Sequence, residues 1–167
     1  PQLAMYGSKG CPFKCTFCSW PQTMYFGNVA LRSPENIAEE IRDAVEKYGF
    51  RSIFFDDDTF NLGTKRISKL CDYLKEISLP WTMMGRLDIS PDWLYDKMVD
   101  CGCVGMRFGV ETFNIDVLKN IEKGIERRDF KKTLEYICLT YPEVMIHITM
   151  MSDMPGQTAE DTKIDMK

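Results

Sequence analysis

The chain contains a single histidine, His147, in 167 residues, which excludes a histidine-rich metal shell. No Ser-His-Asp relay is evident around that one ring. No apolar run approaches the ~20 residues of a membrane span, and no charged-then-apolar start resembles a secretory signal. Low-complexity tracts and Pro/Gly/Ser-rich linkers are also missing, so no internal domain boundary is marked. The formal charge of -4 supplies no excess of positive charge to draw the chain to phosphate backbones or acidic lipid, so nucleic acid is not implied.

What remains is an ordinary globular composition, 44% hydrophobic and 28% charged, in a chain long enough for one sizeable core. Cysteine is plentiful at 7 residues. Three of the seven stand together in Cys11-Pro-Phe-Lys-Cys15-Thr-Phe-Cys18, a metal-like cluster that suits a reducing cytoplasm better than a disulfide framework. A structural zinc site closes with four ligands, yet no fourth Cys or His lies near this stretch. Three thiolates suit instead an iron-sulfur cubane with one open iron, because soft sulfur selects such clusters and an incomplete ligand set leaves room for a substrate.

The rest of the chain alternates strand and helix signals. Leu3 to Ser8 reads as a first strand leading into the cysteine loop. Ser33-Pro34-Glu35 is a cap, a first-turn proline and an acid, followed by Ile37, Ile41, Ala44, Val45 and Tyr48 at helical spacing up to Gly49. Residues 51 to 58 read as a second strand. Ile67, Leu70, Cys71, Leu74 and Ile77 mark a second helix stopped by Pro80, with Cys71 in its core stripe.

Trp81 to Asp88 is a third strand, and Ser90-Pro91-Asp92 starts a third helix facing inward through Leu94, Met98 and Cys101. Val104 to Glu111 is a fourth strand. Asn114 to Tyr141 is mostly helical with a break near Gly124, its inner face set by Phe130, Leu134, Ile137 and Tyr141, with Cys138 joining that stripe. Val144 to Met151 is a fifth strand, and Thr158 with Glu160 and Asp161 opens a final helix. Cys101 and Cys103 are read as structural residues near a helix end, not as an auxiliary cluster.

Five strand-helix units in alternation predict an α/β fold with a parallel sheet. Parity along the strands favours an open, TIM-like partial barrel over a doubly wound sheet. The fourth strand sets Val104, Met106, Phe108 and Val110 against Gly105, Arg107, Gly109 and Glu111. The fifth sets Val144, Ile146, Ile148 and Met150 against Met145, His147, Thr149 and Met151. One semi-polar face per strand fits a shared lumen. His147 falls on that face, where a hydrogen-bonded structural imidazole is the expected role.

Polar groups gather at the carboxyl ends of the strands, at Ser8, Asp56 to Asp58, Arg86 and Asp88, Glu111, Ser152 and Asp153, the edge that carries active sites in such folds.

These motifs are similar to those of the radical S-adenosylmethionine (SAM) enzymes. Cys11, Cys15 and Cys18, with Phe17 before the last, match the cluster signature of that superfamily. Phe55-Asp56-Asp57-Asp58-Thr59-Phe60, Arg86-Leu87-Asp88, Gly102 to Glu111 and Met154-Pro155-Gly156-Gln157-Thr158 resemble the strand ends of its cobalamin-associated branch. Two departures are visible: carboxylates stand where the superfamily often has Gly-Gly-Glu, and Gln157 replaces an acid. The family's sixth strand is also missing. The chain starts at Pro1 inside an apparent strand and stops inside a helix, so residues 1-167 are expected to be a core domain of five of six βα units within a longer polypeptide. The upstream cobalamin-binding domain would lie outside it.

The resemblance implies a [4Fe-4S] cluster on Cys11, Cys15 and Cys18, with SAM chelated at the open iron and cleaved to a 5′-deoxyadenosyl radical that abstracts hydrogen from substrate. Phe17 would contact adenine, Arg86 would pair with the SAM carboxylate, and Glu111 would accept hydrogen bonds from ribose or the amino group. Asp57 and Asp58 stand among the second-strand carboxylates that would meet SAM. The implied activity is a cobalamin-dependent methyltransferase. A radical cyclase or rearrangement enzyme and a methylthiotransferase stand as alternatives, as does a non-catalytic iron-sulfur electron-transfer or metal-binding module. Implied partners are a small-molecule or peptide substrate and an external electron donor such as flavodoxin or ferredoxin.

Overall fold

The computed structural model describes residues 1–125 and 129–166. Its centre is a five-stranded, wholly parallel sheet built from β1 (Gln2–Met5), β4 (Ser52–Phe55), β5 (Trp81–Gly85), β6 (Cys103–Glu111) and β7 (Met145–Met150), side by side in chain order. A doubly wound sheet reverses its strand order at a switch point. Here the order never reverses, as in a partial TIM-like barrel.

The connecting helices form one layer. α2 (Pro34–Tyr48) packs on α3 (Thr64–Ile77), α3 on α4 (Asp92–Asp100), and α4 on α6 (Phe130–Thr140). Ser33 caps α2 by accepting from the Asn36 amide, and Gly49 ends it in a left-handed conformation, as its sequence predicts. Between this layer and the sheet lies the core, including Ile37, Ile41, Leu70, Leu74, Leu94 and Met98 from the helices and Ile53, Phe55, Trp81, Met106 and Phe108 from the strands. Phe55, Phe60 and Trp81 meet with ring centroids 4.5–5.7 Å apart. Among the described residues, no helix is long and apolar enough to cross a membrane.

The strands stop earlier than their sequence patterns suggest. β1 ends at Met5 because Gly7 donates its N–H to Asp57, while Ser8–Lys9 (β2) leaves the sheet to pair antiparallel with Ala30–Leu31 (β3). β4 ends at Phe55, as Asp57 and Asp58 turn their carboxylates to that same segment. β5 ends at Gly85 because the side chain of Asn61 satisfies both the N–H and the C=O of Arg86 in place of a neighbouring strand.

Two faces also differ from the predicted pattern. A register shift between β5 and β6 lies between Trp81 and Thr82, whose partners are Cys103 and Gly105. Cys103 therefore takes the buried position and Val104 is exposed. On α6, Phe130, Thr133 and Ile137 are buried, whereas Cys138, one residue round the helix, is exposed instead of joining the stripe.

The predicted helical stretch 114–141 divides into α5 (Ile115–Asn120) and α6, and residues 126–128 of it lie outside the described residues. α1 (Trp20–Thr23) lies within the cysteine excursion, and α7 (Ala159–Asp165) opens on a capping box between Thr158 and Asp161.

Candidate active site at the carboxyl edge

The cysteine loop is a closed excursion. Its base is the β2–β3 pair, and Gly10, at φ 90°, sits so close to the Asn28 carbonyl that a Cβ would lie 2.1 Å from the oxygen. Only glycine fits there. Asp57 fastens the same base, accepting from the Gly7 amide at 3.0 Å and from the Ser8 hydroxyl. Asp58 accepts from the Gly10 amide at 2.9 Å, one residue before Cys11. On the far side the Thr16 amide donates to the Ile121 carbonyl at 2.9 Å, and the Cys18 amide turns back to the Cys15 carbonyl at 3.1 Å. The loop is thus held over the ends of β4 and β5.

Two of the thiols, those of Cys11 and Cys15, face those strand ends. Cys11 Sγ lies 3.4 Å from Thr59 Oγ1, just beyond β4. Cys15 is buried, with Arg86 Nη1 3.9 Å from its sulfur. Burial pushes the Cys15 thiol pKa up, and the nearby cations of Lys123 and Arg86 oppose that rise by favouring the thiolate.

Arg86 itself is 5% exposed. Its guanidinium grips Asp88 through Nε at 2.9 Å and Nη2 at 2.8 Å, donates to the Lys123 carbonyl at 2.7 Å, and stacks over Phe13 at 3.7 Å. Together with the sulfur contact, these bonds occupy four of its five N–H donors.

Lys123, which sequence reasoning missed, is the second buried cation. It donates to Glu111 Oε1 at 2.9 Å, both side chains being nearly inaccessible, and lies 5.6 Å over the ring of Phe17. No periodicity could have pointed to it, since it lies in the irregular turn after α5. Glu111 ends β6 with φ 72°, an uncommon left-handed conformation for a non-glycine residue that aims its carboxylate back at Lys123. Its Oε2 accepts no hydrogen bond from a described residue.

Asn61 was missed as well. Besides the backbone of Arg86 it donates to Ser90 Oγ at 2.7 Å, so one carboxamide fixes the β5 exit that carries Arg86 and Asp88. The Tyr95 hydroxyl adds a bond to the Arg86 carbonyl at 3.0 Å.

The structure therefore brings Cys11, Cys15, Phe17, Asp58, Arg86 and Glu111 to one edge, but changes the task of two predicted contacts. Asp57 is fully buried with both oxygens committed to Gly7 and Ser8, and burial raises its pKa despite those bonds and the nearby Arg66. It is a loop anchor. Arg86 spends four of its five N–H donors on Asp88, the Lys123 carbonyl and Cys15, and so shapes the surroundings of that sulfur. Gln157 likewise has a positive use. Its carbonyl accepts from the Met154 amide while its NH2 donates to the Met151 carbonyl and to Asp165, a pairing no carboxylate could make.

Among the described residues, no three Cys, His, Asp or Glu side chains form a shell for a metal ion. A four-iron cage takes one thiolate per iron, so its ligands need to surround a cage rather than meet at one atom. Three sulfurs on one loop, with two buried cations to offset thiolate charge, fit such a group.

An unreversed parallel sheet carrying a three-cysteine loop across its carboxyl edge defines a half-barrel built around a sulfur-ligated cofactor. The model of the radical SAM superfamily matches residues 5–166, and the chain belongs to that superfamily, which pairs a [4Fe-4S] cluster with SAM. It is 34% identical over 121 residues to an uncharacterized methyltransferase, PH0819, of Pyrococcus horikoshii, covering 71% of this chain and 26% of that protein.

Two solved structures share the fold. One is the radical SAM methyltransferase TsrM from Kitasatospora setae, with a TM-score of 0.85, 17% identity, and coverage of 99% of this chain and 33% of TsrM. The other is the cobalamin-dependent SAM radical enzyme OxsB, with a TM-score of 0.79, 19% identity, and coverage of 98% and 26%. The chain spans about a quarter to a third of the length of these proteins.

Proposed function

We propose that this chain is the radical SAM core of a longer cytoplasmic enzyme, a methyltransferase that also carries a cobalamin-binding domain. The observation that carries the reading is the pinned cysteine loop above the strand ends, with Arg86 against the Cys15 sulfur and the buried Lys123 near enough to favour its thiolate. Similarity to the Pyrococcus methyltransferase and to the methyltransferase TsrM supports methyl transfer, and similarity to the cobalamin-dependent OxsB supports cobalamin.

In this reading Cys11, Cys15 and Cys18 would hold a [4Fe-4S] cluster, which would supply the electron for reductive cleavage of the SAM sulfonium carbon-sulfur bond. The protein's own residues bind, orient and shield. Phe17 offers a half-exposed ring for adenine, with the Lys123 ammonium 5.6 Å from its centroid. Glu111 keeps Oε2 for the ribose hydroxyls or the ammonium group. Asp58, with Oδ2 spent on Gly10, keeps Oδ1 for the same ammonium. Asp57 and Arg86 hold the loop and the Cys15 environment. The substrate is a small molecule or peptide, and reducing equivalents come from an external donor such as flavodoxin or ferredoxin.

The test is anaerobic reconstitution of the full-length protein with iron and sulfide, followed by reduction in the presence of SAM. The expected result is a change in the reduced cluster's electron paramagnetic resonance signal on adding SAM, with turnover to 5′-deoxyadenosine or S-adenosylhomocysteine. A cluster that forms but ignores SAM in both respects would make the chain an electron-transfer or metal-binding module.

A further inference from the structure

The strand register rules the concave face of the sheet into rows. Phe54, Thr82, Gly105 and Met145 share one row, and Met84, Arg107 and His147 share the next. Gly109 and Thr149 share the one above, toward the cysteine loop. A cavity of about 240 Å³ opens over the lower rows, lined by Gln2, Phe54, Thr82, Arg107, Met145 and His147 among others, and no Asp or Glu lines it.

Arg107 has no carboxylate partner among the described residues. Its guanidinium lies 5.9 Å over the Phe54 ring, and Nη1 reaches only the weakly accepting Met84 Sδ at 3.7 Å. His147 stands directly opposite on β7, exposed on the same face and without a hydrogen bond to any described residue. It is not the satisfied structural imidazole that parity reasoning favours. The acid nearest in this row, Asp56, follows β4 two strands away from β6 and accepts from the Tyr6 hydroxyl at 3.3 Å. A guanidinium beside an imidazole, over an aromatic ring and a thioether, is a composite seat for an oxyanion attached to an apolar body.

We infer that Arg107 and His147 hold the oxyanion of a small organic substrate, a carboxylate or phosphoryl group, with its apolar part on Phe54 and Met84. At ~3.3 Å per residue along a strand, this row lies roughly 7 Å below Gly109 and 13 Å below Glu111. A substrate anchored there by its anion extends its other end toward the edge where the proposed chemistry occurs. That the occupant is a substrate rests on the radical SAM reading. The seat itself does not.

The test uses the full-length protein and three probes of one shape: phenyl phosphate, phenylacetate and uncharged benzyl alcohol. Binding is followed by calorimetry and by the ring resonances of His147, assigned from His147→Gln. At least one anion is expected to bind saturably, shift those resonances, and exceed benzyl alcohol in affinity by about tenfold or more. The tighter of the two anions identifies the oxyanion class. Arg107→Met is expected to remove about tenfold or more of that affinity, and Arg107→Lys to restore part of it.

Equal affinity for the alcohol overturns the inference, as does an anion affinity that Arg107→Met, Arg107→Lys and His147→Gln all leave unchanged. If Arg107→Met fails to fold by circular dichroism, the lysine and glutamine variants decide. SAM cleavage by the wild-type preparation is measured separately. A protein that binds the anion but never cleaves SAM refutes the enzymatic reading and keeps the seat.

Discussion

Two sets of three cysteines sit in different surroundings in this molecule. Cys71, Cys101 and Cys103 lie in the core between sheet and helices. Cys101 donates its S–H to the Met98 carbonyl and Cys103 to that of Gly105. Burial drives the Cys103 thiol pKa far up, and hydrogen bonding to Cys101 together with burial does the same at Cys71. Cys71 and Cys103 are protonated core fillers. Cys11, Cys15 and Cys18 are carried by a loop, and Cys15, though also buried, has Arg86 and Lys123 beside its sulfur. Burial raises both kinds of thiol, but at Cys15 two buried cations, Lys123 and Arg86, work against that rise.

The strongest break of this contrast is Cys15→Ala, or the same change at Cys11 or Cys18. Each is expected to abolish formation of a stable [4Fe-4S] cluster, read from iron and sulfide content and visible absorbance, while far-ultraviolet circular dichroism stays native. Next is Lys123→Met, which leaves Glu111 buried without its partner. Equilibrium urea unfolding of the cluster-free chain should show a loss of about 3–5 kcal/mol, and alkylation of Cys15 should move to higher pH. Asn61→Ala removes bonds to both backbone groups of Arg86 and to Ser90. It should cost about 3 kcal/mol in the same assay.

Cys71→Ala sharpens the contrast from the other side. It should cost only about 1 kcal/mol and leave cluster loading unchanged. The smallest effect is pH dependent. Because burial raises the folded-state pKa of Asp57, the folded protein holds that proton more tightly than the unfolded chain. Its contribution to stability therefore falls as pH rises, beginning near the unfolded value of about 3.9 and ending above the raised folded value. Urea midpoints measured across that window should decline less steeply in Asp57→Asn.

Much of this arrangement was legible in the chain. The helix caps at Ser33 and Thr158, the apolar stripes of α2 and α3, and the strand parities made a parallel half-barrel readable, because hydrophobic period and capping chemistry are local. CxxxCxxC carried the cofactor class, since ligand type and spacing are local too. Strand ends were not legible. Asp57, Asp58 and Asn61 replace ladder hydrogen bonds with side-chain bonds to residues 25 to 50 positions away, and no short sequence window contains both partners. Lys123 was invisible because its irregular turn carries no period, and Arg86 was read as open to a ligand although Asp88, two residues on, and the Lys123 carbonyl already hold it. Val104 shows how a single extra residue in a register reverses an alternation that is otherwise correct.

Gly85 and Asn61 lie so close that a methyl group on residue 85 would stand 2.5 Å from the Asn61 carboxamide oxygen. Any bulkier residue at 85 must evict the amide that holds the β5 exit, and any residue at 61 without an amide leaves a hollow beside a bare Cα. In a saturating pairwise mutational scan, positions 61 and 85 should therefore show strong epistasis: neither tolerates change alone, and functional double variants exchange the two together.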